Sequence, residues 1–292
     1  MTQHTLHPLS HFSFIAVEGP DAHTFLQGQM TCDVRAISPQ KASVGALCDA
    51  KGRMQATFLL YQQHETYFLV VPKVALTHTL KRLKKYAVFS KVHIRDVTPA
   101  WFACGIHDKT QPPFDEFYAV SPHNELLTLS WPGHFSRLLM LSNNETQSTD
   151  AYQKYVTRHF TLSEESAWQL ENILQGLADI LPTTSGLFLP QMINLQHWAG
   201  VSFKKGCYIG QEIIARTQHL GKLKRHLYLI ELHASPFPGD IITDKTQETL
   251  GIMVNTGVAH THLAVLEERA IHSTTLCWQQ QPIHIVKCFE WL

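Results

Sequence analysis

Charge is scarce in this chain. Asp, Glu, Lys and Arg make up 16% of its 292 residues, against about a quarter in an ordinary globular protein. Hydrophobic residues reach 44%, so the low-hydropathy, high-charge balance of a disordered chain is excluded. Basic and acidic residues are equal at 24 each, so the basic excess of a general nucleic-acid binder is missing. Long apolar runs are missing too. Stretches such as Phe58 to Tyr61 and Phe68 to Val71 fall far short of the roughly 20 residues that cross a membrane. The opening MTQHTLHPLSHFSF has no basic start followed by an apolar run and does not read as a signal peptide. The six cysteines, Cys32, Cys48, Cys104, Cys207, Cys277 and Cys288, form no C-x-x-C pair. They read as mostly buried thiols of a reducing cytoplasm, not as a disulfide framework or zinc site. Among 19 histidines only His260-Thr261-His262 has metal spacing, and nothing near it completes a ligand set. It reads as a strand with two surface imidazoles, and no metal site is expected.

What is present is a chain too long for one core, so two or three domains are expected. Strand signals cover Phe12–Val17, Val44–Cys48 and a hairpin of Gln55–Tyr61 with Tyr67–Val71. Asp21 stands where a helix cap belongs before Ala22–Gln29. Lys73–Tyr86 has helical period, with Val74, Leu76, Leu80 and Leu83 as its apolar positions. Further strands are read at Lys91–Val97, Phe102–Ile106, Phe117–Val120, Leu126–Ser130 and Arg137–Leu141. Helices are read at Thr149–Phe160, capped by Asp150, and at Glu164–Ile180. From Arg225 the text turns into short β-rich runs, which suggests a small C-terminal β-barrel. The fold class is α+β. Linear boundaries fall near 1–100, 101–220 and 221–292.

One segment concentrates chemistry: Val201 to Arg216, VSFKKGCYIGQEIIAR. Gly206 and Gly210 bracket Cys207 and Tyr208, which points to a tight loop. Helical propensity begins near Ile209, and Glu212 and Arg216 are spaced to pair. Cys207 then stands before a helix start beside Lys204 and Lys205, features that favour a thiolate. The plainer alternative is a glycine loop with a buried inert thiol and lysines in solvent. His197 and His219 are the nearest bases in sequence. Lys81-Arg82-Leu83-Lys84-Lys85 has the charge to meet phosphate, or is a solvated helix face near the C-terminus, where cations favour the dipole. Trp168 reads from its spacing as core.

Lys205-Gly206-Cys207-Tyr208-Ile209-Gly210-Gln211-Glu212 resembles the K-G-C-[FY]-x-G-Q-E signature of the YgfZ family, folate-binding relatives of the glycine cleavage T-protein aminomethyltransferases. Phe25–Gln29 with Thr31 and Asp33, Cys48–Gly52, Lys84–Val92, Pro190-Gln191 and Asn194-Leu195 extend the likeness over nearly the whole chain. The resemblance implies a three-domain ring around a folate-type cavity with a C-terminal β-barrel, the first two domains being interleaved in the chain. It implies tetrahydrofolate as cofactor and a role in making or repairing iron–sulfur enzymes, including tRNA-modifying ones. By this likeness Phe12, Trp168, Gln29 and Lys204 are the folate-binding candidates. Cys207 becomes a thiolate for thiol exchange or a transient iron–sulfur cluster, with Lys204, Lys205 and Arg216 offsetting a glutamate tail. Two departures stand out. Gly52-Arg53-Met54-Gln55-Ala56-Thr57 lacks the acid that the aminomethyltransferases carry after this glycine. Leu174 stands where many relatives hold a pterin-gripping glutamate, leaving Glu171 or Gln175 as substitutes. Three readings follow: an accessory protein of iron–sulfur metabolism with partner proteins, a folate-dependent one-carbon transferase with Asp49 as nearest acid, and a binding module for tRNA or a tRNA-modifying enzyme.

Overall fold

A computed structural model describes residues 4–123, 126–143, 156, 158–273 and 275–289. The helix expected over 149–160, and its cap Asp150, lie almost wholly outside these residues. The chain divides into two compact units. The first comprises Met1–Gln27, Asp33–Val44 and Phe58–Glu171; the second comprises Gly28–Cys32, Gly45–Thr57 and Asn172–Leu292. Two short segments, 28–32 and 45–57, are thus taken from the N-terminal stretch into the second unit.

The first unit holds a six-stranded sheet built from β1 (His4–Pro8), β7 (Trp101–Asp108), β8 (Val120–His123), β9 (Leu126–Trp131), β10 (Ser136–Asn143) and β11 (Thr161–Leu162). Their order is β11-β1-β7-β10-β9-β8. A second sheet contains β2 (Phe12–Glu18), β3 (Ser43–Cys48), β4 (Met54–Gln63), β5 (Thr66–Pro72) and β6 (His93–Asp96), in the order β3-β4-β5-β2-β6. Its interior strand β2, between β5 and β6, is buried without interruption from Ser13 to Val17, because both its faces are covered. Phe14, Tyr61, Phe68 and Trp101 form an aromatic core there, with Tyr61 and Phe68 stacked at 5.0 Å and Phe68 and Trp101 at 4.9 Å.

Helix α1 (Ala22–Gln29) falls where the sequence placed it. The Asp21 carbonyl opens its ladder by accepting Phe25 N–H at 2.8 Å. The Asp21 carboxylate does not cap the helix but accepts the Lys91 N–H at 2.7 Å. Helix α2 (Leu76–Tyr86) follows a short 3-10 turn at Lys73–Ala75. It buries Thr79 and Leu83, while Val74, expected on its apolar face, is 66% exposed. Helix α3 (Glu165–Gln175) is five residues shorter at its end than the sequence suggested. Gly176 takes φ +73°, its N–H donates to Ile173, and Leu177 N–H donates to Asn172 at 2.9 Å. These two bonds are a Schellman closure, which needs a left-handed residue that glycine supplies. Helix α4 (Gln211–Leu220) begins after Gly210.

The second unit ends in a seven-stranded sheet of β12 (Arg225–Glu231), β13 (Ile241–Thr243), β14 (Thr249–Thr256), β15 (Thr261–Glu267), β16 (Cys277–Trp278), β17 (Gln281–Pro282) and β18 (His284–Cys288). Its order is β17-β16-β13-β14-β15-β12-β18. The two edge strands are joined in sequence by Ile283 alone, so the sheet must curl until its edges approach, giving a half-barrel. Tyr228, Ile230, Ile242, Met253, Ala264 and Leu266 fill its inner face. His262 is not a surface imidazole. It is 2% exposed and its Nε2 lies 3.2 Å from the Leu232 carbonyl. No helix among the described residues is long and apolar enough to cross a membrane.

Candidate functional site

The loop before α4 is built on the two segments inserted into the second unit. Thr31 is fully buried. Its Oγ1 donates to Gly200 carbonyl at 2.6 Å and accepts Ala46 N–H at 2.9 Å, while its own carbonyl accepts Ser202 N–H. Lys205 is 4% exposed, and its Nζ donates to the Met30 and Cys32 carbonyls, both at 2.8 Å. The same ammonium lies 5.0 Å from the centre of the Tyr208 ring. Tyr208 is buried, and burial raises its phenol above the usual range. Gly210 has φ +86° and approaches so closely that a Cβ there would stand 2.5 Å from the Asp49 carbonyl and 2.8 Å from Gly52 Cα. A side chain is therefore excluded on steric and dihedral grounds.

Between these anchors the loop turns outward. Cys207 is the exposed member of the six cysteines; Cys32, Cys48, Cys104 and Cys277 are buried and Cys288 is partly so. The sequence-based picture of cations around the sulfur is corrected in two respects. Lys205 points inward onto carbonyls, so only Lys204 of the pair is exposed. The helix begins four residues after Cys207, at Gln211, and its first N–H donates to the Tyr208 carbonyl at 3.2 Å, not to the thiol. Gly206 keeps an ordinary φ, and a Cβ there would meet nothing within 4 Å, so the space beside Cys207 is open. Glu212 and Arg216 pair on the surface at 2.9 Å, a contact worth a few tenths of a kcal/mol. Gln211 Nε2 donates back to the Lys205 carbonyl at 3.4 Å. His197 packs edge-on to Trp198 and His219 edge-on to Phe203. Cys207 makes no hydrogen bond or ion pair with any described residue. No group of three His, Cys, Asp or Glu side chains able to hold a metal occurs among the described residues.

The neighbouring turn explains what Asp49 does. Its Oδ1 accepts the Lys51 N–H at 2.9 Å and the Arg53 N–H at 3.0 Å, and Gly52 N–H donates to its carbonyl at 3.0 Å. This is an Asx-type turn. Asp49 shapes the surface that Gly210 packs on.

The folate-binding candidates divide between the units. Phe12 and Trp168 belong to the first, Gln29 and Lys204 to the second. Phe12 is half-buried, with its ring against His11 at 4.0 Å. Gln29 is half-buried at the end of α1 and Lys204 is exposed. Trp168 is sealed at 0% exposure. Its ring lies on the backbone of Gly105, where a Cβ would stand 2.2 Å away. The Arg137 guanidinium sits 3.9 Å from its centre, and His107 stacks at 5.2 Å. Glu171 is 8% exposed and accepts the His134 N–H at 3.1 Å. In the first unit Trp168 is thus covered and Glu171 is engaged, and in the second Leu174 carries no hydrogen-bond acceptor.

Trp168 instead belongs to a buried polar network. Arg137 is 0% exposed and donates to His107 Nε2 at 3.2 Å, to the Pro132 carbonyl at 2.6 Å and to the Trp168 carbonyl at 3.1 Å. His107 must therefore be neutral at Nε2 to accept. Burial, then the Arg137 charge, push its pKa down to about 2. His7, whose ring is tilted against His107 at 4.3 Å, is lowered too, chiefly by burial. An imidazole depressed in the folded state stabilises fully above the unfolded pKa of about 6.5 and loses that contribution as pH falls toward the folded value. Between pH 6.5 and 5 His107 is expected to forfeit about 2 kcal/mol. Urea unfolding at pH 7 and pH 5 checks this. His107→Gln should flatten the pH dependence, and equal slopes for both proteins would rule the network out as its source.

The comparisons with known proteins agree with this architecture. Residues 2–107 match the GCVT N-terminal domain family. The "tRNA-modifying protein YgfZ" of Colwellia psychrerythraea is 34% identical over 250 residues, covering 81% of this chain and 75% of that protein. The protein of the same name from Photorhabdus laumondii is 34% identical, covering 80% and 73%, and that from Photobacterium profundum is 33% identical, covering 79% and 70%. Among solved structures, the glycine cleavage system aminomethyltransferase T from Bartonella henselae superposes with a TM-score of 0.69 over 90% of this chain and 78% of that one, at 15% identity. Identity that low speaks to the fold alone. With a third of its residues shared along most of its length, the chain belongs to the YgfZ family and carries the aminomethyltransferase-like fold.

Proposed function

We propose that this chain is an accessory protein of tRNA modification that serves iron–sulfur enzymes through Cys207. The observation that carries the reading is the presentation of this thiol. It is the exposed cysteine, and it sits on a loop whose flanking residues, Lys205 and Tyr208, are buried as anchors. The relatives named as tRNA-modifying proteins support the tRNA link. Among the described residues the thiol has no hydrogen-bond or ion-pair partner, which leaves it free for a partner to approach. One sulfur cannot hold a cluster, which takes about four thiolates. Cys207 therefore acts as one ligand to a cluster in transit, the client enzyme supplying the others. The open space beside Gly206 leaves room for that approach.

A one-carbon transferase is disfavoured by the turn at Asp49. Its carboxylate is held by two backbone N–H groups, and no acid follows Gly52. No step through tetrahydrofolate is needed. In cells lacking the native gene, Cys207→Ala is expected to lose rescue of an iron–sulfur reporter enzyme and of modified nucleosides in tRNA. Its unfolding midpoint should stay within about 0.5 kcal/mol of wild type, as befits an exposed side chain. Full rescue by Cys207→Ala would remove the thiol from the mechanism.

A further inference from the structure

The protein is neutral overall, yet its charge is unevenly laid out. Of its 24 Lys and Arg residues, seven fall between Thr66 and Arg95, a stretch without a single Asp or Glu. Helix α2 and the turn after it lie within that stretch, in the first unit. Arg95 is paired with Glu18. Lys81, Lys84 and Lys85 are exposed and make no salt bridge with any described residue. They recur at helical spacing along the face opposite the buried Thr79 and Leu83, so their charges point to one side.

Aromatic surface accompanies this charge. Tyr86 is 40% exposed and Phe89 is 99% exposed. The Arg82 guanidinium lies 3.9 Å from the centre of the Tyr86 ring and steadies it. Phe89 is carried on a closed turn, not on a loose end. Ser90 N–H donates to the Ala87 carbonyl at 2.9 Å, and Ala87 N–H to that of Lys84. Lys91 N–H is pinned by the Asp21 carboxylate at 2.7 Å. A ring held wholly in water by a built turn, beside ammonium groups that no described carboxylate neutralises and one of which, Lys85, also lies 5.7 Å from the Tyr86 ring centre, matches what single-stranded nucleic acid requires: stacking platforms next to phosphate-binding cations. A membrane surface fits less well. An interfacial helix offers its apolar face to lipid, and α2 has already buried that face in the domain.

We propose that α2 and the Ala87–Ser90 turn form a contact surface for RNA bearing unpaired bases. Lys81, Lys84 and Lys85 meet phosphates, and Tyr86 and Phe89 stack on bases. The choice of RNA over another polyanion rests on the tRNA-linked reading above; the surface itself does not.

Fluorescence anisotropy with the full chain tests it, using labelled unfractionated tRNA, a single-stranded oligoribonucleotide and a duplex RNA, from about 50 to 200 mM salt. The single strand is expected to bind more tightly than the duplex. Phe89→Ala should weaken binding roughly tenfold. Lys84→Glu with Lys85→Glu should reduce the slope of log Kd against log salt by about 1.4, two phosphate contacts at about 0.7 each. Lys245→Glu, in the other unit, should bind as wild type, and unfolding midpoints confirm that each variant is folded. No RNA binding at 50 mM salt, unchanged binding by the Phe89 and Lys84/Lys85 variants, or binding to phosphatidylserine vesicles instead of RNA would each overturn the proposal. The two readings fail separately. Absent RNA binding with rescue still dependent on Cys207 removes only this surface, and RNA binding with full rescue by Cys207→Ala removes only the thiol.

Discussion

Arg137→Met is expected to destabilise the first unit by about 3–5 kcal/mol, the range for removing one member of a buried charged network. The side chain has 0% exposure. Burial lowers its pKa to about 9, which still leaves it charged at neutral pH. Methionine fills much of the volume but leaves three acceptors without their donor: His107 Nε2 and the Pro132 and Trp168 carbonyls. Each unmade bond costs about 1–3 kcal/mol, and the cation over the Trp168 ring is lost as well. Relief from desolvating the guanidinium offsets part of this, which keeps the net below the sum. Arg137→Lys keeps the charge but not the planar fork, and should fall between the two. Urea unfolding followed by tryptophan fluorescence measures the difference. A loss below about 0.5 kcal/mol, the ordinary effect of a surface change, would show that the network contributes little.

Lys205→Met is expected to cost about 2–4 kcal/mol and to remove rescue while leaving Cys207 in place. The ammonium is the donor that ties the motif loop to the Met30 and Cys32 carbonyls. Both residues are buried, at 0% and 1% exposure, so water cannot replace the lost donor without opening the core. Methionine recovers the desolvation of a buried cation, which again limits the net loss. With the anchor gone, the loop loses its hold on the segment 28–32, and the thiol is no longer presented in one place. Rescue assayed well below the variant's unfolding midpoint separates misplacement from unfolding. Wild-type rescue together with wild-type stability would show that the buried lysine is dispensable.

Much of the fold was legible from pattern. The hairpin of β4 and β5, helix α1 and the strands from Arg225 onward showed their period and their turn residues. Strand β1 did not, because its five residues HTLHP hold too few apolar positions to alternate; it is a strand because β7 lies beside it, about a hundred residues away. The end of α3 is not legible from pattern, since apolar residues continue past Gly176 to Ile180 although the helix closes at Gln175. In the motif region the i, i+4 pair of Glu212 and Arg216 and the need for glycine at position 210 followed from local rules. The direction of Lys205 did not. Beside Lys204 and before a glycine it looks like a solvent-facing cation, and only carbonyls some 170 residues earlier in the chain turn it inward. Trp168 shows the converse: its helical spacing pointed to core, its family likeness to a ligand platform, and the ring is covered by Gly105, His107 and Arg137.

By itself, then, the order of residues determined the α+β class, the family and the segment in which to look for chemistry. Those features are written in short-range spacing and in an octapeptide that reads without coordinates. The tertiary structure alone decided which cysteine meets solvent, where the Lys205 charge is neutralised and which aromatic rings remain open to a ligand. The physical reason is that burial and hydrogen bonding depend on what lies across space, and in this interleaved chain the decisive neighbours are supplied by segments far away in sequence.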